Sequence, residues 1–121
     1  MSYYSAAHAA YGGNVTATRT PRRQEYEVIA RVTRALKSAQ SGEGGFPALA
    51  AAIDLNRRLW AVLASDVAET GNGLSEALRA QVLSLAGFAD QHSSRVLAGD
   101  GSADVLIEIN TAIMSGLGRE A

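Results

Sequence analysis

The sequence predicts an all-α fold, an antiparallel bundle of four longer helices plus a short N-terminal helix. Three observations carry this. Apolar residues recur at three- and four-residue spacing, and no alternating strand pattern lasts more than a few residues. Glycines cluster as breaks at Gly12-Gly13, Gly42 to Gly45, Gly71 to Gly73 and Gly99 to Gly101. Only two prolines occur, Pro21 and Pro47, and each suits a first helical turn, where the missing N–H costs nothing.

The leader, Ser2 to Tyr11, places Tyr4, His8 and Tyr11 at helical spacing. It is too short to be a stable helix alone and must dock to be ordered. "GGNVTAT" reads as a loop. The first long helix takes Thr20 as cap and Pro21 at its first position and ends near Gln40. Its apolar stripe is Ile29, Val32, Leu36 and Ala39. "SGEGGF" is a turn. The second long helix runs from Pro47 to Glu69, with Gly71 as a left-handed stop. The third takes Ser75 as cap, runs to Leu97 and stops at Gly99. The fourth runs from near Ser102 to about Leu117. Together they form one domain, with residues 1–20 as leader and loop and 21–118 as the bundle.

With 121 residues, one core is attainable: a chain this long buries roughly two thirds of the surface its unfolded form exposes. There is no cysteine, so thiolate chemistry is excluded. The start "MSYYSAAHAAYGG" lacks the pattern of a secretory signal, and no apolar run approaches the ~18 residues that suggest a membrane span. The expected compartment is the cytoplasm, with no membrane contact. A net charge of −1 gives no general attraction to nucleic acid. Arg19, Arg22 and Arg23 form one local basic cluster, read either as a solvated loop and first turn or as a phosphate-binding patch.

At 100° per residue, several polar residues fall on apolar faces. In the second long helix the apolar half is Leu49, Ala52, Ile53, Leu55, Leu59, Trp60, Val62, Leu63 and Val67, and Asn56 and Asp66 fall inside it. Asp54, Arg57, Arg58, Ser65 and Glu69 take the other half. In the third, Leu78, Val82, Leu85, Ala89 and Val96 form the face and His92 lies within it. In the fourth, Leu106, Ile109, Ile113 and Leu117 surround Asn110. A buried amide without a partner costs ~1–3 kcal/mol, and a buried carboxylate more. Two readings stay open. Either these groups are satisfied internally, with Asp66, Asn72 and Arg79 forming one cluster at the corner between the second and third helices, or they line a groove for a partner. Trp60 is read the same two ways, as core or as interface anchor. The expected core is Leu59, Trp60, Leu63, Val82, Leu85, Ile109 and Ile113.

No catalytic or metal motif is visible. His8 and His92 are the only histidines, and Asp90 and His92, two apart, point different ways on a helix. "SGEGGF" lacks the lysine and Ser/Thr of a P-loop. The expectation is a non-enzyme without cofactor or metal.

The order "TPRRQEYEVIARVTRAL", "NRRLW", "DVAETGNGLSEALRA", "FADQHSSRVL", "LIEINTAIMSGL" resembles the FlaF family of flagellar biosynthesis regulators of alphaproteobacteria, from "AAHAAYG" to "MSGL". One departure is Ser75, where the family usually has proline in its "N-x-L-P" turn. The resemblance implies a cytoplasmic chaperone and regulator that binds flagellin, through its terminal helices, and promotes its synthesis and export for flagellum assembly. It also implies work beside the regulator FlbT. The alternatives are a post-transcriptional regulator acting on flagellin messenger RNA, or an adaptor that binds only FlbT. Balanced charge and few aromatics argue against direct RNA contact. Expected partner-binding residues are Tyr3, Tyr4 and Tyr11 of the leader, with Asn56, Trp60, Asn110 and Met114.

Overall fold

The computed structural model describes residues 21–69 and 73–120. Among these residues it holds four helices and no strand: α1 (Pro21–Gln40), α2 (Gly45–Ala68), α3 (Glu76–Leu97) and α4 (Asp104–Glu120). The leader, the Thr20 cap and the Gly71 stop lie outside the described residues.

The α1–α2 turn is built by glycines. Gly42, Gly44 and Gly45 have φ of 99°, 79° and 65°, a region that costs a side chain dearly. This is why α2 begins at Gly45, two residues ahead of the expected Pro47. The left-handed glycines turn the chain straight into helix without a side-chain cap. A Cβ on Gly44 would also lie 2.6 Å from the Cβ of Ala48.

Ser75 caps α3 as its type predicts: its hydroxyl accepts from the Leu78 N–H at 3.2 Å. The helix closes on Gly99 at φ 84°, where the Gly99 N–H donates to the Val96 carbonyl and the Asp100 N–H to the Arg95 carbonyl. Helix α4 starts at Asp104 rather than Ser102, because the Ser102 hydroxyl serves as a local cap, accepting from the Asp104 N–H at 3.0 Å. The Gln40 side chain, at the end of α1, then grips this start at two points. It donates to the Ser102 hydroxyl at 2.9 Å and accepts from the Ala103 N–H at 3.1 Å.

Each helix packs on two others, α1 on α2 and α4, and α3 on α2 and α4. The stripe expected on α1, Ile29, Val32, Leu36 and Ala39, is buried throughout. It meets Ile53, Leu59 and Val67 of α2, Val82 and Ala89 of α3, and Leu106, Ile113 and Leu117 of α4 in one core. Of the expected core residues, Leu59, Trp60, Leu63, Val82 and Ile113 are buried. Leu85 and Ile109 are only half-buried. Both lie on the flank of their helix toward the α3–α4 seam, by far the thinnest of the four helix contacts, so neither is sealed from solvent.

Candidate functional site

The polar residues on the apolar faces converge at the bundle centre. Asn110 of α4 and Asn56 of α2 have no solvent exposure, and Trp60 and Thr33 only 2% each. The Trp60 indole N–H donates to Asn110 Oδ1 at 2.8 Å. The Asn110 amide then donates one hydrogen to Asn56 Oδ1 at 2.8 Å and the other to the Thr33 hydroxyl at 3.1 Å. The Thr33 hydroxyl in turn donates to the Ile29 carbonyl at 2.7 Å. The order is dictated by chemistry. An indole can only donate, so Asn110 must turn its oxygen to Trp60 and its NH2 away. Asn56 must then present oxygen, which leaves its Nδ2 buried with no partner. The helices of the α2–α4 diagonal do not touch along their backbones, and this side-chain network spans the gap between them.

Of the two readings open from the sequence, the geometry has Asn56, Trp60 and Asn110 bonded to one another inside the protein. Asn56 and Asn110 offer no surface to a partner, and Trp60 next to none. Met114 is half-buried against the core. Tyr3, Tyr4 and Tyr11 lie outside the described residues. Thr33 was not singled out in the sequence, although at 100° per residue it falls inside the α1 stripe between Ile29 and Leu36.

At the α2–α3 corner, the Arg79 guanidinium closes on the Val67 carbonyl through Nε at 3.0 Å and Nη2 at 2.8 Å. That carbonyl belongs to the last turn of α2, where helical partners run out and a cation is favoured. Asp66 is half-buried beside it, and Asn72 lies outside the described residues.

Farther along the same seam, Arg57 plays a part that its place on the polar half of α2 does not suggest. It leans across to α3, where Nη2 donates to the Asp90 carbonyl at 3.0 Å and to the Ser94 hydroxyl. Its Nε stands 3.4 Å from the Asp90 carboxylate. Between these two arginines the seam opens into a cleft of about 290 Å³. Its walls are small residues, Ala61 and Ala64 on α2 and Ala86 and Gly87 on α3. Trp60 contributes to its lining, and the Arg57–Asp90 pair closes one end. Such a cleft can take up apolar groups and fix one polar group at its end. No cluster of three metal-ligating side chains occurs among the described residues. No described helix is long and apolar enough to cross a membrane.

The fold and site define a small all-helical protein with a hydrogen-bonded centre and an apolar cleft along one seam. A family model described as flagellar protein FlaF matches residues 7–117. The chain belongs to the FlaF family and is a flagellar protein. No curated protein and no solved structure matches it.

Proposed function

We propose that this flagellar protein is a non-enzymatic cytoplasmic chaperone and regulator that binds flagellin and promotes its synthesis and export. The observation that carries the reading is membership of the FlaF family across nearly the whole chain. The cleft supports it physically. Unassembled flagellin exposes amphipathic terminal helices, and an apolar seam between two helices suits the helix-in-groove mode of binding. The α2–α3 seam, rather than the buried asparagines, is the recognition surface in this reading, with the leader tyrosines as an additional or exchangeable cover.

The same reading keeps the helices antiparallel and the leader as a short helix. Two cross-helix pairings support the antiparallel arrangement. Gln40 and Thr33 of α1 meet residues 102–103 and Asn110 of α4, and Arg57 and Val67 of α2 meet Asp90 and Arg79 of α3.

Co-purification with flagellin tests the function directly. Flagellin should be retained, and flagellin lacking its C-terminal segment should be lost. Retention of FlbT alone would make the protein an adaptor. Steeply salt-dependent binding of the flagellin leader transcript would instead make it an RNA regulator.

A further inference from the structure

The cleft between α2 and α3 has one wall whose place the two backbones do not settle. Ala61, Ala64, Ala86 and Gly87 have no side-chain rotamers, so they stand where their helices put them. Arg57 and Asp90 hold each other at one end. Trp60 is the remaining lining residue, and its indole turns about two side-chain bonds. Its rotamer therefore decides how deep the cleft is.

What fixes that rotamer lies outside the cleft. The indole N–H donates to Asn110 Oδ1 at 2.8 Å, and Asn110 belongs to α4, which contributes nothing to the lining. Asn110 is itself held on its other side, where its amide donates to Asn56 and to Thr33. Its oxygen can then face only the indole, whose single polar group can only donate. The network is also a poor device for stability alone. It leaves Asn56 Nδ2 buried without a partner, whereas apolar side chains of the same shape would leave no such group. A fixed order of donors and acceptors suits a different task, the placing of one ring.

We infer that Asn110 is a positioning residue for the α2–α3 cleft: it holds the Trp60 indole back as the inner wall, and so keeps the cleft open to an apolar side chain of a partner helix that Asn110 never touches. The consequence for recognition rests on the proposed reading of this seam as the flagellin site, whereas the placing of the wall does not. Without the bond to Asn110, the cleft is the open space beside the indole, and the ring turns into it. A network that only fixed how α2 and α4 stand to each other would, when broken, cost stability and leave the cleft as it was.

The test uses the full chain. Its single tryptophan gives one indole N–H resonance, and its lack of cysteine makes an introduced thiol unique. In the unaltered protein that indole N–H should exchange with deuterium as slowly as a core amide. Ala64→Cys places a thiol at a half-buried position in the cleft, where its rate of reaction with a maleimide reports whether the cleft is open. Adding Asn110→Leu should slow that reaction several-fold. It should also weaken flagellin retention about tenfold or more, under conditions where circular dichroism shows a folded protein. Leu117→Ala, a buried change two turns along α4, should lower stability and move neither readout. Asn110→Asp gives the indole back an acceptor oxygen, so it should return the labelling rate toward that of the parent even though a buried carboxylate lowers stability. Unchanged labelling in folded Asn110→Leu, an equal change in Leu117→Ala, or an indole N–H that exchanges as fast as in a free peptide would each overturn the inference. The exchange measurement needs no variant that could fail to fold. Slowed labelling with unchanged flagellin binding would overturn the role in recognition. If the unaltered protein does not retain flagellin, the reading of the cleft as the flagellin site falls, and labelling and exchange still decide for or against Asn110.

Discussion

Replacing Asn110 by alanine removes the hub of the buried network, and the cost can be worked from its bonds. The Trp60 indole N–H and the Asn56 carbonyl oxygen each lose their buried partner. The Thr33 hydroxyl loses one donor but keeps its own bond to the Ile29 carbonyl. Two orphaned groups at ~1–3 kcal/mol each, with a small cavity added, give about 3–6 kcal/mol. That is a large part of the ~5–15 kcal/mol by which a domain is stable. Asn56→Ala is the informative contrast. It orphans one Asn110 hydrogen but also removes an amide nitrogen that is already buried without a partner, so at most about 2 kcal/mol is expected. Urea unfolding followed by far-ultraviolet circular dichroism measures both. The double variant should cost less than the sum by more than about 0.5 kcal/mol, since both changes break the same bond. Equal losses for the two single variants, or strict additivity, would refute the donor and acceptor order deduced from the indole.

Leu63→Ala should lower stability by ~2–5 kcal/mol, as expected of a packed core leucine, and a loss within ~0.5 kcal/mol would mean that the site is empty or yields freely. At the α2–α3 corner, Asp66→Ala is expected to cost more than an ordinary surface change. A double-mutant cycle with Arg79→Ala tests the proposed cluster, and a coupling below about 0.3 kcal/mol would leave the Val67 carbonyl as the partner that matters to Arg79. Deleting residues 1–12 sorts the possible roles of the leader by melting temperature and flagellin affinity. Tighter binding at unchanged melting marks an exchangeable cover, and weaker binding at unchanged melting a direct contact. A lower melting temperature with unchanged affinity would exclude both.

What the sequence determined by itself was the local and periodic part. Helix count followed from apolar spacing and glycine breaks. The Ser75 cap and the α1 stripe were legible because capping and amphipathicity depend on residues within a turn or two of one another. The sequence also marked Asn56 and Asn110 as out of place on their faces. It could not say that they answer each other, because 54 positions separate them and only packing sets the distance between two helices. Tertiary structure decided the rest for the same reason. It left Leu85 and Ile109 half open, since their burial depends on how closely α3 approaches α4. It drew Arg57 from a solvent-facing half into a clamp on α3, because a long side chain on the border of two faces goes to whichever neighbour offers a carbonyl and a carboxylate. It also turned Thr33, an ordinary member of a helical stripe by spacing, into the acceptor that completes Asn110.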